Sequence, residues 1–215
     1  MKSLHALVLG ATGATGQKIV NLLLKDDAYS KVSIFVRKKP NIGHSKLIVH
    51  EIDFSSLKNY KKLINGDVLF SALGTTRKEA GSIKQQYLVD YTYQFEFAKI
   101  ASDNGVSNYS LVSSTGANEN SFFFYPKIKG KLEESIKKLK FKSIQIFQPP
   151  MLIRPPELMR ESEKNGIRFL TKLNKIGILK AQKPLSVSIL AKKMIIKNKL
   201  NKTLEIKTYR PTDIL

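Results

Sequence analysis

The sequence contains no cysteine and no tryptophan, and only three of its 215 residues are histidine. The absence of cysteine excludes a disulfide framework and a thiolate metal site. His5, His44 and His50 do not have the spacing of metal ligands, so we expect no metal centre. No apolar run is long enough to cross a bilayer, and Met1 leads directly into a strand-like stretch rather than a signal peptide. We therefore expect a cytoplasmic protein without a membrane partner.

Acidic residues are also scarce, because 17 Asp and Glu stand against 37 Lys and Arg, which leaves a net charge of +20. Such a charge favours polyanions through long-range attraction. The basic residues are spread from Lys2 to Arg210, however, and lack the arginine and aromatic interleaving typical of nucleic-acid recognition. We interpret them as a solvated lysine-rich surface and expect that nucleic acid is not the partner.

Apolar runs typical of strands alternate along the chain with stretches of helical periodicity. We predict strands over residues 4–9, 32–36, 46–52, 68–73, 109–112, 143–147 and 204–209. We predict helices over residues 14–24, 55–64, 83–104, 127–139 and 186–199, the second of them capped by a serine. This alternation indicates an α/β fold with a doubly wound, mostly parallel sheet and helices on both faces.

The length of the chain suits one domain with one core over residues 1–215. Hydrophobic residues make up 42% of the sequence and charged residues 25%, which is the usage of ordinary globular proteins. Residues 154–184 are the least regular part, and we expect a small substrate-side lobe or a loop there.

A glycine-rich loop joins the first predicted strand to the first predicted helix, and it reads Gly10-Ala11-Thr12-Gly13-Ala14-Thr15-Gly16. One glycine permits a tight turn, another lets the backbone approach a pyrophosphate, and the third allows the helix to pack closely on the strand. Free amides at the start of the helix attract the anion. The loop therefore predicts a dinucleotide site of the Rossmann type.

The second predicted strand ends in Val36-Arg37-Lys38-Lys39, where an NAD-specific site usually carries an acid. Two cations at this position suit the 2′-phosphate of NADP, and Arg37 can form a bidentate pair with it. We therefore predict that NADP(H) is preferred over NAD(H), with Arg37 and Lys38 as binding residues. A solvated basic turn is the alternative interpretation.

Candidate catalytic residues follow the fifth predicted strand, which ends in Val112-Ser113-Ser114-Thr115-Gly116. Tyr125 and Lys129 come next, four residues apart and therefore on one helix face. A tyrosine becomes a usable acid or base when an ammonium stabilises its phenolate, and a serine hydroxyl can hold a substrate carbonyl. We select Ser114, Tyr125 and Lys129 as catalytic, with Ser113 as the neighbour able to take the serine's part.

These motifs, together with Leu73-Gly74-Thr75-Thr76-Arg77 and Ala117-Asn118, resemble the short-chain dehydrogenase/reductase superfamily over nearly the whole chain. The resemblance is to its atypical branch around the Tat-interacting oxidoreductase-like NAD(P)-binding proteins. It implies the following contacts to the cofactor: Thr12, Gly13, Ala14 and Thr15 at the pyrophosphate, Arg37 and Lys38 at the adenosine phosphate, Asp53 at the adenine, and Leu73 and Gly74 at the ribose.

The resemblance also implies that Tyr125 is the proton donor and that Lys129 binds the nicotinamide ribose. In such proteins the segment after the sixth strand closes over the nicotinamide, which here is residues 148–152, ending at Leu152, with Arg160 following. The chain departs from the pattern in this segment, because it has Gln148 and Pro150 where related sequences often read Arg-Pro-Gly.

Two functions remain open from the sequence. The first is an NADP(H)-dependent oxidoreductase in which hydride passes to a small-molecule carbonyl held by Ser114, and Tyr125 delivers the proton. The second is a non-catalytic NADP(H)-binding protein that senses redox state or binds another protein, because fold and cofactor binding do not establish turnover. The sequence leaves open the substrate and whether the chain forms a homo-oligomer or binds a protein partner.

Overall fold

A computed structural model describes residues 3–159, 161–179, 182–200 and 205–214. The strands in these residues are β1 Leu4–Leu9, β2 Tyr29–Val36, β3 Leu47–Glu51, β4 Val68–Ser71, β5 Asn108–Val112, β6 Ser143–Phe147, β7 Leu152–Ile153, β8 Leu185–Ser186 and β9 Glu205–Tyr209. Seven of them form one parallel sheet in the order β3-β2-β1-β4-β5-β6-β9. A separate pair is formed by β7 and β8. The predicted alternation of strands and helices is confirmed.

Helices cover both faces of this sheet, which confirms the doubly wound arrangement. The α-helices are α1 Ala14–Leu24, α2 Arg77–Ala80, α3 Ile83–Tyr87, α4 Tyr93–Asp103, α5 Phe124–Lys137, α6 Glu161–Lys175, α7 Val187–Leu200 and α8 Pro211–Ile214. Helices α1 and α7 pack on one face, and α4 and α5 pack on the other. None of the helices in the described ranges is long and apolar enough to cross a membrane.

Strand β1 shows why its apolar run is continuous. Ala6 and Val8 belong to the core beneath α1 and α7, whereas Leu7 and Leu9 belong to the core beneath α4 and α5. Successive side chains of a strand point to opposite faces, so a strand covered on both sides has no polar position to spare. All four of these side chains are fully buried.

The long helix predicted over residues 83–104 is interrupted by a π-helical turn, Leu88–Thr92, between α3 and α4. Asp90 in this turn is buried. The Gln94 side-chain amide donates to the Asp90 carbonyl at 2.9 Å, and its oxygen accepts from the Ser71 hydroxyl at 2.9 Å. The turn is therefore anchored to the end of β4, and it brings a carboxylate into the interior.

Two predicted helices differ in type or start. Residues 55–64 form a 3-10 helix, Phe54–Leu63, and its cap is Asp53 rather than a serine, because the Asp53 carboxylate accepts from the Ser55 amide at 2.8 Å. Helix α5 begins at Phe124, three residues before the predicted start at 127. Tyr125 therefore lies in the first turn of α5 rather than before it.

Residues 154–184, the least regular part of the sequence, are not simply a loop, because α6 occupies Glu161–Lys175. Ile167, Leu170 and Leu173 are partly buried at helical spacing, but the polar residues between them hide the pattern in the sequence. A short 3-10 helix, Pro156–Leu158, precedes α6. The ends of the segment are tied by parallel pairing of Leu152 with Leu185. Its assignment as a substrate-side lobe stays a prediction, and Leu204, the predicted start of the last strand, lies outside the described residues.

Candidate functional site

A cavity of about 510 Å³ opens where β1, β4 and β5 end. The chain runs outward from β1 to β2 and β3, and then from β4 in the opposite direction, so this is the crevice in which doubly wound sheets bind ligands. Eight residues that the sequence analysis assigned to cofactor or catalysis line this cavity: Gly13, Ala14, Thr15, Leu73, Gly74, Tyr125, Lys129 and Leu152. The structure thus brings together motifs that are far apart in the chain.

The glycine loop is shaped by contacts that leave no room for side chains. Gly10 has φ +80°, and a Cβ there would lie 2.5 Å from the Leu73 amide nitrogen. A Cβ on Gly16 would collide with the Gly10 carbonyl oxygen. The loop is closed by the Gln17 side chain, which donates to the Thr12 carbonyl at 3.0 Å. Gly10 and Gly16 therefore hold α1 against the ends of β1 and β4.

Gly13 differs from these two glycines because it faces open space. A Cβ on Gly13 would meet only the Gly10 carbonyl oxygen, at 3.4 Å, and Gly13 also lines the cavity. It is the cap residue of α1 and provides no side-chain hydrogen bond to the first amides of the helix. These amides and the space above Gly13 suit a pyrophosphate, which is the group that a dinucleotide would place there.

The residues predicted for the adenosine end lie on the surface at the ends of β2 and β3, and they do not line the 510 Å³ cavity. Arg37 and Lys38 are exposed. The adjacent turn is held by the Glu51 carboxylate, which accepts from the Lys39 amide at 3.1 Å. Asp53 is exposed, and its pKa is lowered because the Ser55 hydroxyl and amide donate to it. Their roles toward a cofactor stay predictions.

Tyr125 and Lys129 lie one turn apart on α5 but differ in exposure. Tyr125 is 43% exposed at the cavity, whereas Lys129 is only 2% exposed, with its ammonium donating to the Val112 carbonyl at 3.0 Å. Burial lowers the pKa of Lys129, and the nearby carboxylates of Asp90 and Glu133 oppose that shift. A buried ammonium one helical turn from a phenol is an arrangement that acid–base chemistry can use.

The two serines at the end of β5 are placed differently. Ser113 lines the cavity, and its hydroxyl donates to the Glu133 carboxylate. Ser114 is absent from the cavity lining, and its hydroxyl oxygen is buried with no hydrogen-bond partner among the described residues. The geometry therefore favours Ser113, the neighbour left open by the sequence, over Ser114. The catalytic role of either serine stays a prediction.

Several cavity residues were not selected from the sequence. Thr75, Thr76 and Arg77 belong to a motif of which only Leu73 and Gly74 were chosen. Val112 belongs to the end of the fifth predicted strand, whereas three others had no recognisable signal: Ala72, Gln86 and Arg154. The Thr75 amide donates to the Asp90 carboxylate at 3.0 Å, so the buried π-turn residue positions this loop. Arg160, which was predicted to bind cofactor, lies outside the described residues.

The fold and the cavity define an NAD(P)-binding protein built like a short-chain dehydrogenase/reductase. The chain belongs to the family described as NAD(P)H-binding, which it matches over residues 10–176. It is 35% identical over 182 residues to protein FMP52-1, mitochondrial, of Scheffersomyces stipitis, covering 82% of this chain and 76% of that protein. It is 31% identical over 177 residues to protein HTATIP2 of Rattus norvegicus, covering 80% and 73%. The resemblance to the Tat-interacting branch is confirmed.

Solved structures confirm the fold. A short chain dehydrogenase family protein from Francisella tularensis superposes with a TM-score of 0.67 at 18% identity, covering 99% of both chains. A UDP-N-acetylglucosamine 4-epimerase from Methanobrevibacter ruminantium superposes with a TM-score of 0.71 at 15% identity, covering 98% of this chain and 77% of the epimerase. At these identities the likeness concerns the Rossmann-type sheet and its helices rather than the substrate.

The expectation of a cytoplasmic protein is wrong, because FMP52 relatives such as that of S. stipitis are named mitochondrial. The expectation rested on the absence of a recognisable signal in the sequence. Such an absence contains no positive information about where a folded protein is retained.

Proposed function

We propose that this protein is an NADP(H)-dependent oxidoreductase that reduces a small-molecule carbonyl compound. One observation carries the proposal: the glycine loop, Ser113, Tyr125 and Lys129 border a single cavity at the crevice of the sheet. The residues that would bind the cofactor and the acid–base groups therefore line the same cavity, which is open to a substrate.

The residues of the chain divide the work in the following way. The amides at the start of α1 and the open side of Gly13 hold the pyrophosphate. A bound nicotinamide supplies the hydride. Tyr125 donates a proton to the carbonyl oxygen, and Lys129 stabilises the phenolate that results. Ser113 orients the reacting oxygen when its hydroxyl turns from the Glu133 carboxylate toward the substrate carbonyl.

The preference for NADP(H) over NAD(H) is supported by Arg37 and Lys38, which are exposed at the end of β2. A guanidinium and an ammonium there match the 2′-phosphate, and the sequence from Val36 to Lys39 contains no acidic residue to favour a free ribose hydroxyl.

A cofactor-binding protein without turnover is the second candidate function. The observation that favours it is the Lys129 ammonium, which donates to the Val112 carbonyl and has two buried carboxylates nearby. An ammonium so engaged would serve to hold α5 in place rather than to assist Tyr125.

Calorimetric titration with NADPH and NADH, followed by cofactor oxidation with a panel of aldehydes, ketones and quinones, separates the two candidates. We expect tight NADPH binding and oxidation by at least one carbonyl class. Binding of NADPH without oxidation by any compound would favour the non-catalytic protein, and the absence of binding would exclude both.

A further inference from the structure

Glu133 of α5 lies between the candidate active site and a second cavity of about 640 Å³. It is 4% exposed, and it lines the second cavity together with Ala117, Glu134, Lys137, Gln148 and Arg210. The Glu133 carboxylate also accepts a hydrogen bond from the hydroxyl of Ser113, and Ser113 lines the candidate active site. The carboxyl group of Glu133 and the Ser113 hydroxyl therefore form a polar connection between the two cavities.

The neutral side chain of Gln148 holds Glu133 in position. Its amide nitrogen donates to both Glu133 oxygens, at 3.1 and 3.0 Å. An amide can bind a carboxylate or a carboxylic acid, whereas a guanidinium at this place would fix the negative charge. Gln148 thus keeps the carboxyl group oriented in either protonation state.

Charged groups of both signs lie around Glu133. Lys129 lies one turn earlier on the same helix, and both Glu133 and the Asp90 carboxylate of the π-helical turn lie near its ammonium. On the side of the second cavity, Glu134 is paired with Lys137 at 2.6 Å, and Asp213 accepts from the Arg210 amide at 2.8 Å. The polar lining of this second cavity suits water that can exchange protons with a carboxyl group.

We propose that Glu133 transfers protons between the candidate active site and the second cavity through the Ser113 hydroxyl. The proposal rests on the proposed reductase function. When Tyr125 gives its proton to the carbonyl oxygen, the phenolate must regain one from solvent. Protonated Glu133 gives a proton to the Ser113 oxygen, and Ser113 releases its own proton into the active-site cavity toward Tyr125. The Glu133 carboxylate then takes a proton from water in the second cavity, and oxidation of an alcohol reverses each transfer.

A purely structural role for Glu133 makes a different prediction. In that case Glu133 would only fasten α5 to the ends of β5 and β6 through Ser113 and Gln148. Replacing Gln148 by arginine would strengthen such a fastening, because a charged bidentate pair is stronger than a neutral amide contact. The same replacement would stop a proton relay, because it holds Glu133 ionised.

The experiment compares Glu133→Gln and Gln148→Arg with Glu134→Gln, which lies beside Glu133 on α5 and has no bond to Ser113. Steady-state reduction of an aromatic ortho-quinone by NADPH is measured across pH, with and without a small weak acid such as acetate. We expect Glu133→Gln and Gln148→Arg to lower kcat by at least about tenfold, with KM and NADPH affinity unchanged. Acetate should restore part of the lost rate, and Glu134→Gln should behave like the wild type.

Wild-type kcat in either Glu133→Gln or Gln148→Arg would overturn the relay. So would a loss of kcat in Glu133→Gln that acetate does not relieve at any pH. If the wild-type protein reduces no carbonyl compound, the proposed function fails. Proton exchange at Glu133 is then tested by infrared spectroscopy of the protein alone. A protonated-carboxyl band that is present in the wild-type protein and lost in Glu133→Gln would support proton exchange at Glu133. The absence of such a band would overturn it.

Discussion

The Lys129 ammonium donates to the Val112 carbonyl oxygen at 3.0 Å, and this bond ties the helix that carries Tyr125 to the end of β5. The same lysine has the carboxylates of Asp90 and Glu133 nearby. Lys129 is therefore a structural and an electrostatic element of the site at once. Replacement of Lys129 should therefore weaken cofactor binding as well as turnover, whereas replacement of Tyr125 should lower turnover alone.

Tyr125→Phe should keep NADPH affinity and lower the turnover of any confirmed carbonyl substrate by about a hundredfold or more, because only the proton donor is lost. Lys129→Met, which preserves volume, should weaken NADPH binding as well as turnover. Calorimetry and steady-state kinetics on both variants measure the contrast. Turnover at the wild-type rate in Tyr125→Phe would refute the mechanism.

Gly13→Val should abolish measurable cofactor binding and leave the fold intact, because its side chain would extend into the space above the start of α1. Gly16→Ala is the matched control. Its methyl group would collide with the Gly10 carbonyl, so we expect a loss of roughly 1–3 kcal/mol in unfolding free energy. Thermal unfolding and calorimetry distinguish the two effects, and retained affinity in folded Gly13→Val would show that the loop is only structural.

Arg37→Ala should weaken NADPH binding by roughly 10- to 100-fold and change NADH binding little, because a charged hydrogen bond to the 2′-phosphate is lost. Lys25→Ala is the control for net charge, because it removes one positive charge at the C-terminal end of α1, away from the glycine loop. Titration of all three proteins with both cofactors provides the comparison. An equal effect of Arg37→Ala on NADPH and NADH would contradict the assignment.

The lowered pKa of Lys129 has a consequence for stability in alkali. Between its folded pKa and the ordinary lysine value of 10.5, the unfolded chain binds more protons at this residue than the folded chain does. Unfolding free energy should therefore rise with pH over that window through Lys129. Urea unfolding at neutral pH and near pH 10 should show wild type gaining relative to Lys129→Met, and no relative gain would contradict the shift.

The sequence was sufficient to predict the elements that local chemistry determines. The glycine loop specified α1 to the residue, because its spacing and the apolar run before it allow one arrangement. The choice between Ser113 and Ser114, by contrast, stays open and is not determined by the local sequence. It depends on strand register, since the Ser113 amide bonds to the Phe147 carbonyl at 2.7 Å and thereby extends the pairing of β5 with β6 by one residue.

Other features depend on contacts that no short pattern contains. A π-helical turn adds a residue to a helix and leaves its apolar spacing almost intact, so the burial of Asp90 was not foreseen. Glu133 was also missed, because its importance comes from Ser113 and Gln148, each more than ten residues away along the chain. The sequence motifs were sufficient to predict several of the residues that line the cavity, whereas the hydrogen bonds of Glu133 to Ser113 and Gln148 could be found only in the structure.

The pairing of Leu152 with Leu185 holds together the two ends of the segment that contains α6. Closing a flexible loop costs only about 0.6 kcal/mol more for each doubling of its length. Insertions and deletions between β7 and β8 are therefore cheap for the fold, whereas the sheet and the glycine loop admit few changes. This segment can therefore change in length while the sheet and the glycine loop stay as they are.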